Sequence, residues 1–337
     1  MTGLSAEEFW TISDSKLQAI LDSNEALSRQ KRIHFYAPSF MYYKTSHYCS
    51  LPTAFPTISI TGKDCALKCR HCGGIVLETM HPAVQPQQLY ELCQKLKQEG
   101  AMGCLISGGC LPNGSVPIER FMEAISKIKQ KLDLTVLVHT GTIDLKTAKA
   151  LKTACVDAAL IDIVGSDETI REIFRLNVTV QDYAHSLKAL NDSGLAFVPH
   201  VIVGLHYGQL LGELNALKIV SDLKPSALVI IAFMPIRGTM MENIEPPKPL
   251  DIARTIATAR AMFPETPLVL GCMRPKGKHR AATDVLALKA GVDAIAFPSE
   301  EVIRFAENAG SDISFSSFCC SQIYVDLLSE QGKTIRS

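Results

Sequence analysis

The sequence predicts an α/β fold, a (β/α)8 TIM-type barrel, on two observations. From residue 55 onward, short β-branched apolar runs alternate with amphipathic segments of helical length, which indicates βα units and a parallel sheet. The alternation repeats eight times, and eight such units favour a barrel over an open sheet. A chain of 337 residues with 47% hydrophobic content can form this barrel as one domain.

The individual elements follow from this periodicity. The eight strands are expected at approximately 55–60, 103–107, 133–139, 157–163, 196–203, 227–233, 267–272 and 293–297. Apolar residues recur at three- and four-residue intervals in the helix-like segments, which are 86–99, 117–132, 143–153, 181–193, 209–222, 249–263, 280–290 and 299–308.

The segments flanking the barrel belong to the same structural domain. Residues 1–54 comprise an N-terminal helix, which begins with a capping-box pair, Ser5 and Glu8, and reaches about Gln30, and an aromatic-rich lead-in. The barrel spans residues 55–310. Residues 311–337 form a C-terminal tail that is expected to lie over the barrel mouth.

The composition excludes several kinds of partner. With 34 basic and 34 acidic residues, no global field favours nucleic acid or an anionic membrane. The longest apolar run, Leu228 to Met234, is too short to span a bilayer, and the first residues lack a signal-peptide pattern. Eleven cysteines without export signals indicate reduced thiols and metal ligands, so a cytoplasmic location is predicted.

A cysteine triplet directly follows the first barrel strand. Cys65, Cys69 and Cys72 have C-x3-C-x2-C spacing, and three thiolates on one loop can hold three irons of a four-iron cluster. Such clusters normally have four cysteine ligands, so one iron would be left for a non-protein ligand. A zinc site is the alternative, but zinc usually takes four ligands from paired units, and the sequence has no second pair at that spacing.

This triplet and its strand context resemble the radical S-adenosylmethionine (radical SAM) superfamily, in which an aromatic residue, here His71, precedes the last cysteine. The resemblance implies a [4Fe-4S] cluster on catalytic Cys65, Cys69 and Cys72, with SAM bound to the open iron. It also implies an electron donor such as ferredoxin or flavodoxin, and cleavage of SAM to methionine and a 5′-deoxyadenosyl radical.

Further motifs lie at the carboxyl ends of the strands, where barrels of this type place their chemistry. Ser107-Gly108-Gly109-Cys110 resembles the superfamily's GGE motif, with Cys110 in place of the acidic residue. By resemblance, Ser107, Gly108 and Gly109 contact SAM. A Gly-Gly pair is also a common turn.

Three later strands end in residues that match cofactor-binding segments of the superfamily. Asp162 and Ser166 stand where SAM is often bound, although either residue could instead cap the next helix. Segments 201–205 and 233–239 resemble the G-x-I-x-G-x-x-E and P-x-x-G-T motifs. They supply the remaining candidates for cofactor contact, Val203, Gly204, Met234, Pro235 and Arg237.

The resemblance extends to the biotin synthase branch and covers nearly the whole barrel, including segment 289–295. That branch contains biotin synthase, hydrogenase-maturase-like enzymes and methylornithine synthase. Within it, the chain resembles the archaeal-type two-component lipoyl synthases in segments such as 35–40. This implies two partners, a second related radical SAM subunit and an octanoyl carrier domain or peptide.

Sulfur-inserting relatives carry an auxiliary [4Fe-4S] cluster as the sulfur donor. The candidate ligands are Cys49, Cys272, Cys319 and Cys320, with Cys110 in reserve. The alternative is that these four cysteines are buried or incidental. Free cysteine behaves as a small hydrophobe, and Cys93, Cys104 and Cys155 lie among apolar neighbours, so they are predicted to be core residues.

Two features are candidates for substrate or partner binding. The loop 274–280 carries Arg274, Lys276 and Lys278, which could hold a substrate carboxylate or dock an acidic carrier domain, although most basic runs are solvated loops. His139 lies at a strand end and could face a substrate or be a satisfied core histidine.

The leading hypothesis is an enzyme that removes hydrogen from an aliphatic chain and inserts sulfur into an octanoyl group, as one component of a lipoyl synthase. A single-cluster enzyme for carbon-skeleton rearrangement or metallocofactor maturation is the alternative. A non-enzymatic iron–sulfur or zinc scaffold or regulator would leave the SAM motifs unexplained.

Overall fold

The computed structural model describes residues 3–23 and 32–330. Its α-helices are α1 (Ala6–Thr11), α2 (Asp14–Asp22), α3 (Pro86–Gln98), α4 (Met122–Leu132), α5 (Leu145–Thr153), α6 (Asp167–Thr169), α7 (Val180–Ser193), α8 (Glu213–Ser221), α9 (Pro249–Met262), α10 (Lys278–Ala290), α11 (Glu300–Asn308) and α12 (Ile323–Glu330). A π-helical turn at Ile170–Phe174 continues α6.

The strands form one parallel sheet. They are β1 (Arg32–Tyr36), β2 (Thr57–Ser59), β3 (His81–Pro82), β4 (Gly103–Ser107), β5 (Thr135–His139), β6 (Ala158–Ile163), β7 (Phe197–Val203), β8 (Leu228–Ala232), β9 (Leu268–Leu270), β10 (Ala294–Ala296) and β11 (Asp312–Ser316). Their order in the sheet is β11-β1-β10-β9-β8-β7-β6-β5-β4-β2-β3.

The predicted α/β barrel architecture is confirmed. Each of the eight expected strands is present, as β2 and β4 to β10, and a helix lies in each of the eight expected segments. The ring is partial, however, because β1 pairs with β10 and occupies the edge that β2 would need for closure. Within the described residues the sheet therefore ends at β11 on one side and at β3 on the other.

The N-terminal extension contains two short helices where one long helix was expected. Ile12 is extended, and the Ser13 side chain accepts a hydrogen bond from the Lys16 N–H, so that a new helix begins at Asp14. Arg254 of α9 holds this break through hydrogen bonds to the Ile12 carbonyl (2.7 Å) and to Asp14 (2.6 Å). The predicted helical segment 24–30 lies outside the described residues.

The C-terminal segment packs against the sheet and the inward-facing strand residues. β11 joins the sheet beside β1, and the following residues enter the barrel interior. Cys320 and Ile323 are buried there against Val198, Val229 and other inward-facing strand residues. The Tyr324 hydroxyl donates to the Asp157 carbonyl, just before β6 (3.2 Å). Apolar side chains of the tail thus fill interior space that solvent would otherwise occupy.

Candidate active site

The cysteine triplet lies on a tightly turned loop after β2. The N–H groups of Cys72 and Gly73 both donate to the Cys69 carbonyl, at 3.3 and 2.7 Å, and the Ile75 N–H donates to the Cys72 carbonyl at 2.8 Å. Lys68, Gly73 and Gly74 have positive φ angles that permit this reversal. The loop therefore holds its cysteines close together.

The thiols form a compact donor set. The ligand atoms of Cys69, His71 and Cys72 lie within 4.8 Å of one another, and Cys65 lies beside Gly74, at the end of the same loop. A hydrogen bond from Cys69 and the neighbouring His71 hold the pKa of Cys72 well below its ordinary value, although burial opposes this shift.

These residues fit a thiolate-bound cluster with one open iron. The set provides three cysteines rather than the four that a closed cluster site would have. The Nδ1 atom of His71 is buried and has no hydrogen-bond partner in the described structure, and a buried polar atom of this kind indicates that a group belongs beside it.

The loop after β4 lies directly against the cysteine loop. The Gly109 N–H donates to the Thr61 hydroxyl (2.7 Å), and the Ala66 N–H donates to the Cys110 carbonyl (2.9 Å). Burial, and then the neighbouring Cys65, raise the pKa of Cys110 to about 12. Cys110 therefore neighbours the triplet rather than the auxiliary cysteines.

Ser107 and Ser166 both have structural hydrogen bonds. The Ser107 hydroxyl donates to the His139 carbonyl (3.4 Å), joining the ends of β4 and β5. The Ser166 hydroxyl accepts a hydrogen bond from the Thr169 N–H (3.2 Å) and caps α6. Of the two interpretations for Ser166, the structure shows the helix cap.

Three polar side chains meet at the neighbouring strands β5, β6 and β7. One donor atom each of His139, Asp162 and His200 lies within 4.8 Å of the other two, and Asp162 is the register partner of His200. Burial lowers the pKa of His200 to about 4. Burial also disfavours the charged forms of His139 and Asp162. The attraction between these two side chains nevertheless raises the pKa of His139 and lowers the pKa of Asp162.

One of the two later cofactor segments borders the cysteine loop. Gly238 lies beside Ile75, which places the segment containing Met234, Pro235 and Arg237 next to the cysteine loop. Gly204, after Val203, donates its N–H to Glu213 (2.8 Å). Sequence reasoning missed Glu213, because nothing in the sequence shows that the first residue of α8 folds back onto β7.

The four auxiliary-cluster candidates do not form one ligand set. Cys272, Cys319 and Cys320 belong to the interior cluster of side chains, and Cys49 is exposed. Among the described residues, groups of three candidate ligand atoms within 4.8 Å occur at two places. One is the cysteine loop, and the other is the set of His139, Asp162 and His200, called here the histidine–aspartate group. Cys93 and Cys104 are buried as predicted, whereas Cys155 is exposed, which contradicts its assignment to the core.

Arg274 cannot take the predicted docking role. Its side chain is 0% exposed and is paired with the equally buried Asp284 at 2.8 Å. Two further donors of Arg274 bond the Gly271 and Phe297 carbonyls. The guanidinium is needed to satisfy these buried acceptors. The exposed basic side chains of that loop are Lys276 and Lys278.

Comparison with known proteins identifies the domain. Residues 59–208 match the family model for the radical SAM superfamily, a segment that contains both the cysteine loop and the histidine–aspartate group. The chain therefore carries a radical SAM domain. Within the superfamily, its homologues are biotin synthase-like and share low sequence identity with it.

Two curated relatives illustrate this similarity. A biotin synthase from Leptospira biflexa is 25% identical over 216 residues, which cover 63% of this chain and 60% of that protein. The 3-methylornithine synthase of Methanosarcina acetivorans is 21% identical over 323 residues, covering 91% of this chain and 85% of that protein.

Solved structures show the same fold. The [FeFe]-hydrogenase maturase HydG has a TM-score of 0.65 at 16% identity, and the alignment covers 97% of this chain and 75% of HydG. Methylornithine synthase (PylB) has a TM-score of 0.58 at 15% identity, and the alignment covers 92% of this chain and 97% of PylB.

None of the helices in the described part of the chain has the length and apolar character that a bilayer span requires.

Proposed function

We propose that this protein is a radical SAM enzyme that abstracts hydrogen from an aliphatic substrate held in the barrel. The observation that carries the proposal is the convergence of Cys65, Cys69 and Cys72 on one loop inside the matched domain. When bound there, a [4Fe-4S] cluster and SAM together supply one-electron cleavage of SAM to methionine and a 5′-deoxyadenosyl radical.

The protein's own residues bind and orient these groups. The three cysteines would hold the cluster, and Gly109 packs against the cysteine loop at Cys65. The apolar strand residues around Val198 and Val229, together with Ile323 from the tail, exclude water from the interior. A radical that can attack unactivated carbon needs such a dry site, since water exclusion limits side reactions.

Cysteine substitution tests the proposal. Replacing Cys65, Cys69 or Cys72 with alanine should abolish the formation of 5′-deoxyadenosine from SAM under anaerobic conditions with a reductant. Cys155→Ala is the matched control, because Cys155 is exposed and lies outside the site, and it should retain activity. Formation of 5′-deoxyadenosine by the triple variant would refute the assignment.

For the substrate, we propose sulfur insertion into an octanoyl group, with this chain as one component of a two-protein lipoyl synthase in the cytoplasm. Similarity to biotin synthase and the interior cysteines Cys272, Cys319 and Cys320 support sulfur chemistry. The partners would be a related radical SAM subunit, an octanoyl carrier domain or peptide, and ferredoxin or flavodoxin. Mass spectrometry of an octanoyl peptide should then show added sulfur only when both subunits are present.

A single-cluster enzyme for rearrangement or metallocofactor maturation is the second candidate. It is favoured by the exposure of Cys49, which leaves the proposed auxiliary ligands incomplete, and by the similarity to 3-methylornithine synthase along 91% of the chain. Iron and sulfide analysis separates the two candidates. After anaerobic reconstitution, a variant without Cys65, Cys69 and Cys72 should retain about four irons and four sulfides if an auxiliary cluster exists, and no sulfide otherwise.

A further inference from the structure

The histidine–aspartate group has the geometry of a metal site. The Nε2 atom of His139 lies 3.4 Å from Oδ1 of Asp162, which is longer than the usual 2.7–3.2 Å of an N–H···O hydrogen bond. Two ligand atoms that are each about 2.1 Å from a tetrahedral ion lie about 3.4 Å apart. The separation thus matches one edge of a coordination shell.

His200 is oriented as a ligand by its own strand. Its Nδ1 atom lies 3.1 Å from the Val198 carbonyl, and because a carbonyl can only accept, Nδ1 must carry the proton. In the neutral ring, Nε2 then has the free lone pair. A hydrogen bond from the second ring nitrogen to a backbone carbonyl is the usual support of a metal-binding histidine.

The sheet holds all three side chains in place. His139, Asp162 and His200 come from three consecutive strands, so their separation is set by the ladder and not by a loop. The side chains of His139 and Asp162 remain 25% and 32% exposed, which leaves room beside them. A rigid scaffold with free space meets the requirements for a preorganised ion site.

We propose that His139, Asp162 and His200 bind one divalent first-row transition metal ion, Fe²⁺ or Zn²⁺, at a site separate from the cysteine loop. Two imidazoles and one carboxylate form a donor set that such ions prefer. Three protein ligands leave coordination positions open. These positions would accept an oxygen or nitrogen atom of a bound small molecule.

Cobalt binding tests this site with no readout from SAM chemistry. The full-length chain without Cys65, Cys69 and Cys72 removes the thiolates of the cysteine loop, and Co²⁺ is the spectroscopic probe. We expect one Co²⁺ per chain, visible d–d absorption, displacement by Zn²⁺, and an increase in the melting temperature with Co²⁺ concentration. Because this variant cannot cleave SAM under the proposed function, failure of the metal proposal leaves that function untouched.

Ligand substitutions decide whether these residues hold the ion. Asp162→Asn and His200→Gln keep the side-chain size approximately and should each weaken Co²⁺ binding at least 100-fold, with circular dichroism confirming that the metal-free variants fold. His185→Ala removes an exposed histidine and should leave binding unchanged. The proposal is overturned if Co²⁺ does not bind, if both ligand variants bind normally, or if the spectrum shows thiolate-to-cobalt charge transfer.

Discussion

Gly109 and Cys65 are in direct contact: a β-carbon at position 109 would lie only 2.6 Å from both Cα and Cβ of Cys65. Real β-carbons do not approach other atoms this closely, so any larger residue must displace the cysteine loop. Gly109, the second glycine of the pair after β4, is thus required by packing against the cysteine loop, in addition to any contact with SAM.

The first prediction concerns this contact. Gly109→Ala should displace Cys65 and reduce both cluster content and 5′-deoxyadenosine formation by at least ten-fold. Gly108→Ala is the matched control, because its β-carbon would meet only side-chain atoms of Thr61 and Ile60, at 3.1–3.2 Å. Iron per chain measures the effect. Equal iron content in the two variants would show that the close approach is not important for the cluster.

The second prediction concerns pH and Glu213. Burial raises the pKa of Glu213 to about 7, despite a hydrogen bond from the Gly204 N–H that favours the charged form. The pKa of Glu213 is higher in the folded protein than in the unfolded chain. Its contribution to the free energy of unfolding is therefore fully present below about pH 4.5 and is lost as pH rises through about 7. The free energy of unfolding should fall by about 3 kcal/mol over this range from this group.

Glu213→Gln should remove that pH dependence, since the amide oxygen can still accept from Gly204 but cannot ionise. Denaturant unfolding at pH 5 and pH 8 measures the difference. Glu265→Gln, at an exposed position, is the control. Its free energy of unfolding should depend on pH as that of the wild type does. An unchanged slope in Glu213→Gln would assign the pH dependence to other groups.

The third prediction concerns the Arg274–Asp284 pair. Asp284→Asn leaves the buried guanidinium without a compensating charge and should lower the free energy of unfolding by about 3–5 kcal/mol. Asp192→Asn breaks an exposed pair with Lys188 and should cost less than about 1 kcal/mol. Denaturant unfolding of the two variants measures both losses of free energy. A similar small loss in both variants would contradict the structural role of Arg274.

The fourth prediction concerns the exposed lysines Lys276 and Lys278. If this loop docks an acidic carrier domain, the double change to glutamate should reduce turnover of carrier-bound substrate and increase its KM. Cleavage of SAM should be unaffected, because both side chains are exposed and neither has a contact with the cysteine loop. Equal loss of both activities would reject docking. The double variant Lys95→Glu, Lys188→Glu, at two exposed helical positions, changes the net charge by the same amount and is the control.

The barrel could be predicted because its eight strands and eight helices have strong periodicity, and the cysteine triplet because its spacing is local. β1 and β11 were missed. β1 lies in the segment assigned to the aromatic-rich lead-in, and the apolar residues of β11, Asp312–Ser316, alternate with serine. Arg274 was misassigned because its partner Asp284 comes from the next helix. The meeting of Asp162 with His200 depends on strand register, which sequence alone does not provide.

The position of β1 has a consequence for biosynthesis. The backbone of its four buried residues is paired with β10 on one side and β11 on the other. Ala294 is synthesised roughly 260 residues after Tyr36, which takes about 13–50 s on the ribosome. During that time an apolar strand with unpaired edges is available for incorrect pairing. Residues 32–36 therefore cannot take their place in the sheet until the last strands of the barrel have been synthesised.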